Sequence, residues 1–225
     1  LRVAVTGANG RMGQTVARAV SAEPEMELAC LVARPGGRLV GAAAASIVGD
    51  ENCSITVSEV LDLESVDVVI DFTLPESSLV NARACAEAGV PIVIGTTGFS
   101  ETEQTDLEST LYSVARCQAA NFSTGVNLAY RLISIGAQVI GADSDIEIHE
   151  AHHKHKIDAP SGTALAMGHV MADSMGQSLH DVAQYDRSAK REVRKPGSIG
   201  FSVTRAGEIV GEHTVLFLSL IHISE

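Results

Sequence analysis

The chain has 225 residues, 45% of them hydrophobic and 20% charged, enough apolar material for one large core or two smaller ones. Its formal net charge is −12, with 16 Lys and Arg against 28 Asp and Glu, which disfavours nucleic acid as a partner because neutralising phosphates needs a basic face. No apolar run reaches the roughly 20 residues that cross a bilayer, and the first residues lack a signal-peptide layout, so the expectation is a cytoplasmic protein with no membrane partner.

Arg2–Thr6 reads as a strand and Arg11–Ala22 as a helix with Met12, Val16, Ala19 and Val20 as its apolar face, stopped by Pro24. Residues 26–33 return as a strand, and residues 66–72 form a nearly continuous apolar run, as expected of a strand covered on both faces. Thr73-Leu-Pro-Glu76 has capping-box spacing and opens a helix that closes at Gly89. Residues 90–94 read as the next strand. Ser100-Glu-Thr-Glu103 repeats the box for a helix running to about Ala115, and residues 117–120 give another short strand. This alternation predicts a parallel sheet built from βαβ units.

Beyond Asn121 the pattern changes. A long helix is expected over residues 126–140, then a strand over 145–151 whose alternation of polar and apolar residues indicates one wetted face. A helix over 163–175 follows, and Ile199–Arg205 with residues 209–218 reads as a hairpin turning around Ala206-Gly207-Glu208. The expected architecture is a Rossmann-like doubly wound α/β domain, residues 1–121, followed by an α+β domain with a mixed or antiparallel sheet, residues 122–217. Cys30, Cys53, Cys85 and Cys117 are widely spaced with no CxxC pair, and read as reduced core residues.

Gly7-Ala-Asn-Gly10-Arg-Met-Gly13 lies between the first strand and the first helix. There, glycines allow a tight turn and close approach of backbone N–H groups to a pyrophosphate, while the helix N-terminus favours the anion. The second predicted strand ends in Ala33, Arg34 and Pro35, without the acidic residue that usually accepts the ribose diol of NAD. Arg34, with Arg38 near it, suits a 2′-phosphate, so NADPH is expected over NADH. Gly95-Thr96-Thr97-Gly98 and Ala119-Ala120-Asn121-Phe122 each follow a strand, at the sheet edge where such folds bind ligands, and their small polar groups suit a nicotinamide ribose and carboxamide.

Glu150-Ala-His152-His153-Lys-His155-Lys156-Ile-Asp158-Ala-Pro-Ser161-Gly162-Thr163 gathers cationic and protonatable groups in an otherwise acidic chain. Such a cluster can transfer protons, bind an anion, hold a metal, or be an ordinary solvated loop. His152 and His155 with Glu150 or Asp158 have zinc-ligand chemistry, but neighbouring lysines repel a cation and the spacing is not that of HExxH, so no metal is expected. Ser161-Gly162-Thr163 entering a helix favours a carboxylate.

These segments, VAVTGANGRMG at 3–13, DFT at 71–73, GTTGF at 95–99, AANFSTGVN at 119–127, EAHHKHKIDAPSGTA at 150–164 and TRAGEIVGEHTV at 204–215, resemble the bacterial 4-hydroxy-tetrahydrodipicolinate reductases. The resemblance implies NAD(P)H-dependent reduction of a cyclic dicarboxylate to tetrahydrodipicolinate, with loss of water, in the diaminopimelate route to lysine. It implies His152 as acid/base residue and Lys156 as proton donor, and His153, Lys156, Ser161, Gly162 and Thr163 around the substrate carboxylates. It further implies cofactor contacts from Gly7, Ala8, Asn9, Gly10, Arg11, Met12, Arg34, Gly95, Thr96, Thr97, Ala119, Ala120, Asn121 and Phe122, and a homotetramer. A noncatalytic NADPH-binding sensor is the alternative. The resemblance runs to about Phe217, and residues 218–225 read as an unmatched tail on a chain cut short.

Overall fold

The computed structural model describes residues 1–188 and 191–219. The chain divides into two compact units, one of Leu1–Ala120 and one beginning at Asn121.

In the first unit, strands β1 (Arg2–Thr6), β2 (Glu27–Val32), β3 (Val68–Asp71), β4 (Ile92–Ile94) and β5 (Arg116–Gln118) form a parallel sheet in the order β2-β1-β3-β4-β5. A single parallel bridge, Val32 to Ser58, extends it beyond β2. Counting that bridge as a reduced strand gives the order 3-2-1-4-5-6 of a doubly wound dinucleotide fold, with its switch point between β1 and β3. The helices are α1 (Arg11–Ala22), α2 (Ala45–Val48), α3 (Pro75–Ala88) and α4 (Glu101–Thr110). Alternate residues of β1 feed two cores: Val3 and Val5 pack with Ala17 and Val20 of α1 and Ile47 of α2, while Ala4 packs with Leu79 and Ala82 of α3 and Leu107 of α4. That is the physical content of a sheet covered on both faces.

Several expectations need correcting here. The buried face of α1 is Gly13, Ala17 and Val20, and Met12 and Ala19 are exposed. Helix α1 lies so close to the glycine loop that a Cβ on Gly13 would sit 2.2 Å from the Gly7 carbonyl oxygen, and this contact sets its rotation. The capping box at Ser100 and Glu103 forms, but the one at Thr73 does not: the N-cap of α3 is Leu74, without a side-chain cap. Thr73 Oγ1 instead donates to the buried Asp71 carboxylate, and Pro75 starts the helix. Cys30 and Cys85 are core residues, whereas Cys53 is half-buried and Cys117, on the short strand β5, is exposed.

In the second unit, α5 (Thr124–Ile140) and α6 (Gly162–Ser174) pack on a mixed sheet of β6 (Asp145–His152), β7 (Ala183–Gln184), β8 (Ile199–Arg205) and β9 (Glu212–Leu218). A short helix α7 (Leu179–Val182) precedes β7. The order is β7-β8-β6-β9, with β8 parallel and β9 antiparallel to β6. The expected hairpin of β8 and β9 is therefore absent: β6 lies between them. β9 alternates along its length but β8 begins with three consecutive buried residues, and β6, with buried residues of its own, takes a partner on each edge. The link over residues 206–211 passes the end of β6, where Ala206 N–H donates to the His152 carbonyl and Lys154 N–H to that of Gly207. Of the tail at 218–225, Leu218 completes β9, and residues 220–225 lie outside the described residues. Among the described residues no helix is long and apolar enough to cross a membrane.

Candidate active site

The glycine loop joins β1 to α1 at the switch point. Gly7 has φ +87°, and a Cβ there would lie 2.3 Å from the Phe72 carbonyl oxygen, so both backbone conformation and crowding require glycine. Ala8 N–H donates to the Val32 carbonyl and Gly10 N–H to that of Gly7, which fixes the turn. The N-cap Gly10 makes no side-chain cap and the first turn of α1 carries no acid, so the backbone donors there are unopposed by negative charge. Asn9 Oδ1 is buried without a partner among the described residues. Its amide nitrogen and Arg34 both border Gly37: a Cβ on Gly37 would meet Asn9 Nδ2 at 2.4 Å and Arg34 Cγ at 3.3 Å. Arg34 is exposed, and Ala33 is buried where an acid was sought. Loop, Asn9 and Arg34 thus share one place in the first unit.

Behind this loop lies a feature that periodicity did not reveal. Asp71, fully buried at the end of β3, accepts hydrogen bonds from the hydroxyls of Thr6, Thr73 (2.9 Å) and Thr96 (3.1 Å) and from Asn81 Nδ2 (3.1 Å). One carboxylate therefore ties together the ends of β1, β3 and β4. Thr96 is consumed in this network, since its hydroxyl also accepts from Thr73 N–H, and it is buried. Gly95 N–H donates to the Asp71 carbonyl, and Thr97 alone of the two threonines is exposed. Of the segment after β5, Ala119 and Ala120 belong to the first unit and Asn121 and Phe122 to the second. Asn121 Oδ1 accepts from Ser123 N–H, the N-cap residue of α5.

In the second unit the helix-facing side of the sheet changes character along β6. Ile146 pairs in register with Ile199 and Phe217, and Ile148 with Phe201 and Val215. The next two residues on that face are Glu150, opposite His213, and His152, opposite Arg205. An apolar row thus continues directly into an ionisable one. Glu150 is 1% exposed and makes four hydrogen bonds. Its Oε1 accepts from Arg205 Nη2 (2.7 Å) and Ser161 N–H (2.9 Å), and its Oε2 from Arg205 Nη1 (2.8 Å) and His152 Nδ1 (2.6 Å). Burial alone would raise this carboxyl, but the hydrogen bonds from Arg205, His152 and Ser161 outweigh it and bring it down to about 2. An ionised carboxylate only accepts, so His152 carries a proton on Nδ1.

Beside this pair lie His213, which the sequence did not single out, and several residues that it did. The His213 ring meets that of His152 edge-on at 5.2 Å, and its Nε2 lies 3.0 Å from Ser161 Oγ. Burial, then the charge of His152, lowers His213 below its ordinary value. Lys156 Nζ pairs with Asp158 at 2.8 Å, and Arg205 also holds the Asp158 carbonyl at 2.6 Å. His153 Nδ1 is buried with no partner among the described residues. Ser161 is the N-cap of the 13-residue α6, its hydroxyl accepting from Ala164 N–H. It is 2% exposed and its polar groups are engaged inside the protein, so the Ser161 hydroxyl is not free for a ligand, while the N–H of Gly162 at the start of α6 reaches the Asp158 carboxylate. Among the described residues no group of three His, Cys, Asp or Glu is gathered to hold an ion, and Glu150 is already taken by Arg205. Sequence reading named His152, His153 and Lys156 but gave no role to Glu150 beyond metal ligation, and none to Arg205 or His213.

Comparison with known proteins bears on both units. The family model described as dihydrodipicolinate reductase, N-terminus, matches residues 1–122, and that for the C-terminus matches residues 125–223, past Phe217. A 4-hydroxy-tetrahydrodipicolinate reductase of Methylococcus capsulatus is 48% identical over 221 residues, 96% of this chain and 81% of the relative. One from Saccharophagus degradans is 45% identical, covering 96% of this chain and 82% of the relative. The solved dipicolinate-bound dihydrodipicolinate reductase from Paenisporosarcina sp. TG-14 is 26% identical with a TM-score of 0.69, covering 96% of this chain and 83% of that one. With both of its units matched, the chain belongs to the dihydrodipicolinate reductase family.

Proposed function

We propose that this protein reduces 4-hydroxy-tetrahydrodipicolinate to tetrahydrodipicolinate, with loss of water, at the expense of a nicotinamide dinucleotide, as a step of lysine synthesis through diaminopimelate. The observation that carries the reading is the Glu150–His152 pair at 2.6 Å, built beside Lys156 and the start of α6. The names of the curated relatives, and the dipicolinate held by the Paenisporosarcina relative, support a small cyclic dicarboxylate.

The first unit would hold the cofactor through Gly7, Ala8, Asn9, Gly10, Arg11 and Met12, with Gly95, Thr97, Ala119 and Ala120 at neighbouring strand ends. Asn121 and Phe122 would add further cofactor contacts. Unpartnered Asn9 Oδ1 and the acid-free first turn of α1 fit this use. Arg34 would pair with a 2′-phosphate, which makes NADPH the preferred reductant over NADH. When bound, the dinucleotide supplies the hydride. The second unit would supply everything else: Lys156, His153 and the N–H groups of Gly162 and Thr163 take the carboxylates, Ser161 braces them from behind, and His152 and Lys156 handle protons.

Turnover is tested by following NADPH absorbance with freshly generated 4-hydroxy-tetrahydrodipicolinate. The wild-type protein should turn over, and His152→Ala should lose about two orders of magnitude in kcat with NADPH affinity nearly unchanged. Wild-type turnover in the variant would remove His152 from the chemistry. For assembly we propose a homotetramer in the cytoplasm. Exposed Leu128, Leu132, Ile135 and Val139 along α5 support self-association, and sedimentation gives the number of copies.

A further inference from the structure

We propose that Glu150, locked by Arg205, is a positioning residue that dictates which ring nitrogen of His152 exchanges a proton with substrate. The inference rests on the acid/base reading of His152 and adds the device that selects its reactive atom. Glu150 sits two residues before His152 on the same face of β6, so strand geometry alone aims its carboxylate at that ring. The clamp is complete, because two donors hold each oxygen and neither oxygen can turn away without losing an Arg205 bond.

The consequence for chemistry is directional. With Nδ1–H committed to Glu150, Nε2 is the nitrogen left to exchange protons, and it faces the link between β8 and β9, where a Cβ on Gly211 would lie 3.0 Å from it. In the protonated ring the Nε2 proton passes to the substrate atom that receives it, and the ring returns to the neutral Nδ1–H form. Solvent then replaces the lost proton. The Glu150 bond persists through the cycle because the carboxylate stays ionised, so it steadies the imidazolium without itself taking the proton. Arg205 acts at one remove: its fork keeps Glu150 charged and oriented, and its bond to the Asp158 carbonyl anchors the loop that carries Lys156.

Glu150→Gln tests this because the amide must choose. At the Oε1 position Ser161 N–H can only donate, and so can Arg205 Nη2, so the amide oxygen belongs there. The NH2 group then faces His152 Nδ1, the one partner able to become an acceptor by moving its proton to Nε2. In wild-type protein, long-range proton–nitrogen NMR should show His152 as the Nδ1–H tautomer, and in Glu150→Gln as the Nε2–H tautomer. The same variant should lose about 10²-fold in kcat, with KM for the dicarboxylate within about threefold and NADPH affinity unchanged. Combined with His152→Ala, Glu150→Gln should cost nothing more, since its effect runs through that ring.

An Nε2–H tautomer in the wild-type protein overturns the proposal without any variant, so a folding failure of Glu150→Gln would not shield it. Full turnover of Glu150→Gln alongside an impaired His152→Ala overturns it too, while leaving the role of His152 intact. Full turnover of His152→Ala instead sinks the reading on which it rests.

Discussion

Glu150 keeps a negative charge almost sealed from water, and this makes the fold sensitive to acid. Burial works to raise its carboxyl, but Arg205, His152 and Ser161 together take it from an ordinary 4.5 to about 2. The unfolded chain therefore binds this proton near pH 4.5 and the folded chain only near 2. The stabilisation, about 3 kcal/mol, is whole above about pH 5 and is lost as the pH falls from there toward 2. His213, lowered chiefly by burial and then by His152, works in the same direction, its contribution fading as the pH falls through 6.5. Urea unfolding at a series of pH values should show the wild type weakening steeply below about pH 5 and Glu150→Gln following a flatter curve. Parallel curves would mean that the carboxylate is not the sensitive group. On the cofactor side, Arg34 stands exposed beside Asn9 with no ion pair to lose among the described residues. Arg34→Ala should weaken NADPH by about tenfold and leave NADH almost untouched in fluorescence titrations. Equal losses for both would take the 2′-phosphate away from it. His152, Lys156 and the glycine loop could be picked out of the sequence because their partners in chemistry are neighbours in the chain. Arg205 and His213 could not, because they reach Glu150 only through the register of β6 with β8 and β9.

The elements divide along similar lines. The strands and long helices of the first unit were legible because a buried parallel sheet leaves continuous apolar runs separated by helical periodicity. The Ser100 box formed as its spacing predicts, whereas the equivalent spacing at Thr73 lost its hydroxyl to Asp71, a residue brought near by the end of β3. A local capping motif therefore gave way to a nonlocal buried charge, whose unsatisfied desolvation would cost more than a missing cap. The β8–β9 hairpin failed for a different reason. Alternation identifies which face of a strand is buried but says nothing about its neighbour, and here β6 claimed both edges. That exchange matters for function. Had β8 and β9 paired directly, β6 could not have stood between them, and Glu150 would lack either Arg205 on one edge or His213 on the other.

At the scale of the molecule, each unit has a core of its own. Val3 and Val5 anchor one face of the first unit's sheet and Val69 and Ile92 the other, while Ile146, Ile148, Met171 and Ile199 anchor the second unit, with no residue shared between the clusters of the two units. Each unit also has its own proposed ligand: a dinucleotide for the first, a dicarboxylate for the second. A ligand stabilises only the state that binds it, by RT ln(1 + [L]/Kd), which at a hundredfold excess over Kd is about 2.7 kcal/mol. Calorimetry of the whole chain should therefore resolve two transitions. NADPH should raise one of them by roughly 10 °C, and a pyridine dicarboxylate should raise the other. Residue-level assignment comes from hydrogen exchange, with NADPH protecting amides of β1 and β3 and the dicarboxylate those of β6 and the start of α6. A single transition that both ligands move equally would show that the units unfold as one body, and the division of labour proposed for them would then have no thermodynamic expression.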